Sequence, residues 1–260
     1  MSDFLDLHRP GHPLLMPNPW DIGSARILAS LGARALATTS SGFAATLGRF
    51  DGAVTRDEAI GHAAAIAGVV DVPVSADLER CFADDPAGVA ETVALAKAAG
   101  LAGCSVEDFS GHEIYDIGLA TERVAAAVEA AGDDFVITAR AENLLHGGDL
   151  ADAIARLQRF QEVGAPVLFA PGAVTEEDIS AVLTSVDRPV NVLVLPGAPS
   201  VVRLAELGVA RISTGGALAY AAYGALADAG RALIEEGSYD YWRGSEVGRR
   251  TLAQAFADGS

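Results

Sequence analysis

Two adjacent carboxylates, Glu107 and Asp108, end the apolar run GCSV, and the pattern recurs elsewhere in the chain: VPVSA leads into Asp77, and FVITA leads into Arg140 and Glu142. Acids gathered away from water repel one another and stay ionised together only with a cation among them. The donors on offer are oxygens, with no suitably placed His or Cys beside Asp77 or Glu107. That donor set favours Mg2+, or Mn2+, over zinc. Mg2+ keeps several waters, so Asp77 and Glu107 would hold it partly through water. Arg140, a planar two-pronged donor beside Glu142, suits a substrate carboxylate. Any one of these acids is equally well explained as a helix N-cap or a solvated loop residue. Asp77, Glu107 and Arg140 together are harder to explain that way.

Such residues work together only if the fold brings strand ends to one place. Short apolar or β-branched runs alternate with Ala-rich segments of helical period. Eight strands are expected, over 13–16, 35–38, 72–76, 103–106, 135–139, 167–169, 190–193 and 211–213. Segments such as DEAIGHAAAIAG and DLADAIARLQRFQEVG separate them, most opened by Asp, Ser or Pro and closed by Gly, as helix caps require. Eight β-then-α units predict a (β/α)8 TIM-type barrel, whose strand C-termini share one mouth. A doubly wound sheet fits less well, because no GxGxxG follows the first strand. The mouth would also gather Trp20 and Asp21 after the first strand, Ser40 and Ser41 after the second, and Asn191 on the seventh.

Composition narrows the function classes. In 260 residues, 35 acids against 18 basic residues give a formal charge of -17, which repels nucleic acid and anionic membranes. The N-terminus MSDFLDLHRPGHP has no signal-peptide pattern and no stretch is long and apolar enough to span a membrane, so a cytoplasmic protein is expected. One domain over 1–260 is expected, with 238–260 as a helical extension. Cys81 and Cys104 lack metal spacing and read as free thiols, a disulfide between them remaining open. The single lysine, Lys97, lies within a helical segment, so a Schiff-base aldolase has no nucleophile here. STGGAL after the eighth strand is either a backbone phosphate site or a tight turn. His112 and His146 read mainly as polar loop residues, and His8, His12 and His62 carry no signal.

PNPWDIGSARILASLGARALATTSSGFAATLG, VSADLE, SVEDFSG, ITARAEN and RPVNVLV, in this order, resemble the isocitrate lyase and phosphoenolpyruvate mutase superfamily, from about residue 17 to 237. The resemblance implies a (β/α)8 barrel, bound Mg2+, and 2-oxo or 2-hydroxy carboxylate substrates whose C–C or P–C bond is made or broken. It implies that Ser41, Gly42 and Phe43 contact the substrate carboxylate, that Asp77 and Glu107 belong to the metal site, that Arg140 binds substrate and that Asn191 lines the pocket. Two departures stand out. The family's Asp-Ala-Asp is Ser75-Ala76-Asp77 here, and the Lys-Lys-Cys-Gly-His lid of the lyases is replaced by FSGHEIYDIG. Without the lid cysteine, proton delivery would fall to water, His112 or Tyr115.

The expectation is therefore a Mg2+-dependent C–C lyase with a metal-stabilised enolate. Catalysis would rest on Asp77, Glu107, Arg140 and His112, and substrate binding on Trp20, Asp21, Ser41, Gly42, Phe43, Arg140, Glu142 and Asn191. The alternatives are phosphonopyruvate-type P–C chemistry and a 2-oxo acid binding protein with little turnover. The aromatics Tyr239, Tyr241, Trp242 and Phe256 of the extension have no slot in a closed barrel, which suggests a homodimer or homotetramer.

Overall fold

The computed structural model describes residues 3–257, so the two ends of the expected 1–260 domain and the last three residues of its extension lie outside the described residues. Among the described residues, β1 Leu14–Met16, β2 Leu36–Ala37, β3 Val74–Ala76 and β4 Gly103–Glu107 are followed by β5 Val136–Arg140, β6 Val167–Phe169, β7 Val190–Leu193 and β8 Arg211–Ser213. Helices α1 Ile22–Ser30, α2 Ser40–Thr46, α3 Arg56–Ala67, α4 Pro86–Ala98 and α5 Ile117–Ala131 fill the first four crossovers. Helices α6 Leu150–Glu162, α7 Glu176–Ser185, α8 Val201–Leu207, α9 Ala217–Glu235 and α10 Trp242–Ala257 complete the chain. All strands are parallel, each laddered to its sequence neighbour from β2 to β8, and β8 to β1. Only β1 and β2 share no ladder. Their seam is bridged by Ala37 N–H donating to Pro17 O at 3.3 Å. The fold is a (β/α)8 TIM-type barrel with α10 appended.

Sequence chemistry accounts for the boundaries. Asp21 and Thr55 open α1 and α3 with reciprocal capping boxes, and Asp85 caps α4 with Pro86 at its first position. The outer strand faces pack against the helices in two apolar clusters, one around Leu36, Ile66 and Val93 and one around Leu157, Phe160 and Leu168. A third cluster has Phe4, Leu14, Val136 and Val167 closing the N-terminal ends of the strands, with Met16 above them in the cavity wall. Above that plug the interior is polar. Ser75, Ser105, Thr138, Asn191 and Ser213 occupy inward positions that such barrels usually fill with bulky branched residues, and a cavity is left open.

The turn after β3 is strained. Glu79, Cys81 and Phe82 all adopt positive φ, between 51° and 59°, which L-residues seldom do. Arg123 of α5 holds this turn in place, its Nη2 donating to Arg80 O at 2.7 Å and its Nη1 to Ala83 O at 2.8 Å. Cys81 and Cys104 are buried and unbridged.

Candidate active site

The cavity, about 370 Å3, opens at the C-terminal ends of the strands. Its centre is Arg140, the last residue of β5. Arg140 Nη1 lies 2.8 Å from Glu107 Oε1 and 3.1 Å from Asp77 Oδ1, and its Nε lies 2.7 Å from Glu142 Oε1. The guanidinium also sits 5.0 Å above the Phe169 ring. Asp77 is fixed from three sides: Ser105 Oγ donates to Oδ1 at 3.1 Å, Ser40 N–H donates to Oδ2 at 3.0 Å, and its own N–H donates to Thr38 Oγ1 at 2.9 Å. β4 and β5 are in register at Glu107 and Arg140, so adjacent strand ends create the pair directly.

Acids outnumber cations here, and the proton affinities show it. Burial pushes the Glu107 carboxyl well up; Arg140 pulls it down, but Glu142 and Asp77 push it up again. Burial, with Asp77 and Asp51 nearby, raises Glu79 to about 7. Burial opposes the charge on Arg140, yet Glu107, Glu142 and Asp77 outweigh it and hold the guanidinium protonated more firmly than usual.

The cavity wall includes Ser40, Ser41, Asp77, Glu107, Arg140, Glu142 and Asn191. Other residues expected at the mouth lie elsewhere. Asp108 turns outward, accepting from Glu142 N–H at 2.7 Å and pairing with Arg156 of α6 at 3.1 Å. Asp21 is spent on capping α1, accepting from Ser24 N–H at 2.6 Å. Trp20 is half-buried outside the wall, its carbonyl 3.0 Å from His62 Nε2. Phe43 stacks on His62 at 3.8 Å. The Gly42 and Phe43 N–H groups are taken inside α2, by Thr39 Oγ1 at 3.3 Å and Thr39 O at 3.0 Å, so neither is free for a substrate carboxylate in this conformation. Gly42 is nonetheless required as glycine, because a Cβ there would meet Thr39 Cγ2 at 2.6 Å.

The short lid segment is a tight turn, bridged from Phe109 to Ile114, with His112 exposed at its tip and outside the cavity wall. Tyr115 is committed as well, its hydroxyl donating to Asp84 at 2.5 Å. In STGGAL, Asn18 Oδ1 accepts from Thr214 N–H at 2.9 Å and Gly215 N–H at 3.0 Å, so these donors serve a turn rather than a phosphate.

Sequence reading missed Asp51, Thr138 and Arg211 and took His146, near the mouth, mainly as a polar loop residue; all four are in the cavity wall. Asp51 sits in RFDG, which reads as a loop. Arg211 did carry a signal, a charge inside the apolar stretch VARIS. His146 follows β5 in a 3-10 turn, Asn143–His146, and stacks on Phe109 at 3.7 Å.

Among the described residues, no three or more His, Cys, Asp or Glu side chains form a ready-made metal cage. Mg2+ rarely needs one, since one or two carboxylates, water and substrate oxygens suffice. Asp77 and Glu107, in a surplus of acid, fit a partly hydrated divalent ion completed by substrate.

A family model described as phosphoenolpyruvate phosphomutase matches residues 4–234. The chain belongs to the isocitrate lyase and phosphoenolpyruvate mutase superfamily. Within this superfamily it is 45% identical to a Burkholderia cenocepacia J2315 protein provisionally described as a lyase/mutase. That crystal structure superposes with a TM-score of 0.90 over 95% of this chain and 93% of the other. An uncharacterized Mycobacterium tuberculosis protein is 34% identical over 89% of both chains. The 2-methylisocitrate lyase of Escherichia coli (strain K12) is 32% identical over 66% of this chain and 65% of its own.

Proposed function

We propose that this superfamily member is a Mg2+-dependent lyase that cleaves a C–C bond of a small 2-oxo or 2-hydroxy carboxylate. The observation that carries this reading is the cluster of Asp77, Glu107 and Glu142 around Arg140 at one end of the cavity. Likeness to a 2-methylisocitrate lyase supports it. Asp77 and Glu107 would hold the ion, Mn2+ being the natural substitute. A divalent ion there would supply Lewis-acid stabilisation of the enolate charge that develops as the bond breaks. Arg140, aimed by Glu142 through Nε and by Asp77 and Glu107 through Nη1, offers its charge and its remaining nitrogen, Nη2, to the substrate carboxylate, and Ser41 lines the approach. His146, at the cavity rim on the Phe109 ring, takes the proton-transfer role, since His112 and Tyr115 lie outside the wall.

The family model's own name favours a second reading, P–C bond chemistry on a phosphonopyruvate-like substrate. A third follows from the short lid, a 2-oxo acid binder with little turnover. Turnover assays with Mg2+ on oxaloacetate, 2-methylisocitrate, 2,3-dimethylmalate and phosphonopyruvate separate the three. Cleavage of a C–C substrate supports the lyase, reaction of phosphonopyruvate alone supports the second reading, and tight binding without products supports the third. Because Ser75 stands where an acid would, Mg2+ and a 2-oxo acid should bind cooperatively. Calorimetry should show Mg2+ affinity rising at least about fivefold with pyruvate present; an unchanged affinity would count against a shared site.

A further inference from the structure

The cavity's two arginines are in opposite situations. Arg140 is crowded by carboxylates, whereas Arg211 has none within ion-pair distance among the described residues. Arg211 Nε donates to Asn191 Oδ1 at 2.9 Å, and its Nη1 lies 3.3 Å from His8 Nε2. Arginine has only donors, so His8 Nε2 accepts, leaving Nδ1–H to donate to Phe4 O at 3.1 Å. Both partners of the guanidinium are therefore neutral. Burial, then repulsion from Arg140, lowers the Arg211 pKa to about 9, with no acid offsetting them. A side chain 3% exposed that keeps its charge without a counter-charge is costly unless an anion completes it.

A second orphan stands on the same floor. Thr138 Oγ1 is buried without a hydrogen-bond partner among the described residues, and Thr138 lines the cavity. Thr138 lies two residues before Arg140 on β5, and Arg211 two before Ser213 on β8, so both occupy the inward layer beneath the acids. In register with Arg211, Asn191 donates through Nδ2 to Ser213 Oγ at 2.9 Å, which leaves the hydroxyl hydrogen of Ser213 available. Arg211 and the free Thr138 hydroxyl thus line the lower layer of an otherwise acid-rich cavity, with the Ser213 hydroxyl one layer above.

We propose that Arg211 and Thr138, with Ser213, form an anion subsite at the cavity floor that takes the distal carboxylate of a short 2-oxo or 2-hydroxy dicarboxylate. This rests on the reading that the acid-and-Arg140 layer above takes the 2-oxo or 2-hydroxy carboxylate head. It adds a criterion of substrate choice: a ligand with one carboxylate leaves Arg211 without a counter-charge, and a ligand with two satisfies it. The same anion chemistry could be met by free chloride, which the test separates.

The probes are malate and 2-hydroxybutyrate of the same hand, which share the 2-hydroxy carboxylate head and differ in a distal carboxylate against a methyl group. Calorimetry on the full chain, at saturating Mg2+ and constant ionic strength, should give malate about tenfold or more tighter binding. Arg211→Met should abolish that preference while leaving 2-hydroxybutyrate within about twofold, and Thr138→Val should cost malate alone about threefold. A parent chain without the preference, or an Arg211→Met chain that loses both ligands equally, overturns the subsite. If Arg211→Met does not fold, Thr138→Val decides: loss confined to malate supports the proposal, and no selective loss overturns it. Thermal stabilisation by chloride that Arg211→Met removes, with no malate preference, marks an inorganic-anion site and overturns the carboxylate assignment. C–C cleavage without the malate preference sinks the subsite and leaves the lyase reading standing. The preference without any cleavage does the reverse.

Discussion

Arg140 illustrates how much of the site hangs on one side chain. Two of its nitrogens serve Asp77, Glu107 and Glu142 at 2.7 to 3.1 Å, an arrangement that depends on a planar fork. A lysine ammonium keeps the charge but cannot face three acids from fixed directions while keeping a further nitrogen, as Arg140 keeps Nη2, for a carboxylate. Arg140→Lys should therefore weaken binding of oxaloacetate or pyruvate by about tenfold or more, roughly 1.4 kcal/mol, despite charge conservation. Titration of the purified variant checks this; an affinity equal to that of the parent for every oxo acid would remove Arg140 as the carboxylate clamp.

At the scale of elements, the N-terminal segment is part of the barrel's foundation. The 3-10 turn Leu5–Leu7 delivers His8 beneath β8, with Phe4 sealing the strand ends. Burial first, then the Arg211 charge, depress the His8 pKa from 6.5 to about 3. The unfolded chain therefore binds a proton that the folded chain refuses between these values. The His8 contribution to stability is complete above pH 6.5 and is lost as the pH drops toward 3, about 2 kcal/mol of it between pH 7 and pH 5. Urea unfolding at the two pH values should show a smaller loss for His8→Gln than for the parent; equal losses would mean that His8 does not titrate in the unfolding equilibrium. The strained turn after β3 is a second element held from outside. Arg123 ties down backbone that Glu79, Cys81 and Phe82 would otherwise leave, directly behind Asp77.

At the scale of the whole molecule, the C-terminal helices leave apolar surface uncovered. In α9, 19 residues long, only Ala219 is buried, and Leu226 and Ile234 are 67% and 83% exposed. Helix α10 touches α1 of its own chain, with Arg26 5.7 Å over the Phe256 ring, but none of its residues is buried and Trp242 stays exposed. We expect α9 to be covered by a second copy, giving a homodimer or homotetramer. No helix among the described residues is long and apolar enough to cross a membrane. Light scattering at micromolar concentration should return a multiple of 26.6 kDa for the full chain. A monomer mass would sink this, and Leu226→Glu with Ile234→Glu should shift the parent's oligomer toward monomer if α9 is the covered face.

The sequence by itself determined the eight-unit barrel, because the alternation of short apolar runs with capped helical segments is a local pattern that each element expresses on its own. It also determined that Asp77, Glu107, Arg140 and Glu142 meet, because strand ends in a closed parallel barrel converge whatever their separation in the chain. Only the tertiary structure decided the directions. Asp108 follows Glu107 by one residue and so points to the opposite face, toward Arg156, and Asp21 is consumed by the cap of α1. His112 and Tyr115 are near the mouth in sequence, but a tight turn and Asp84 hold them outside the cavity. Arg211 could be noticed in VARIS as a charge in an apolar run, but its lack of a counter-charge is a property of every element around it. A single chain position cannot report that, since an ion pair in a barrel is made by whichever strands happen to face one another.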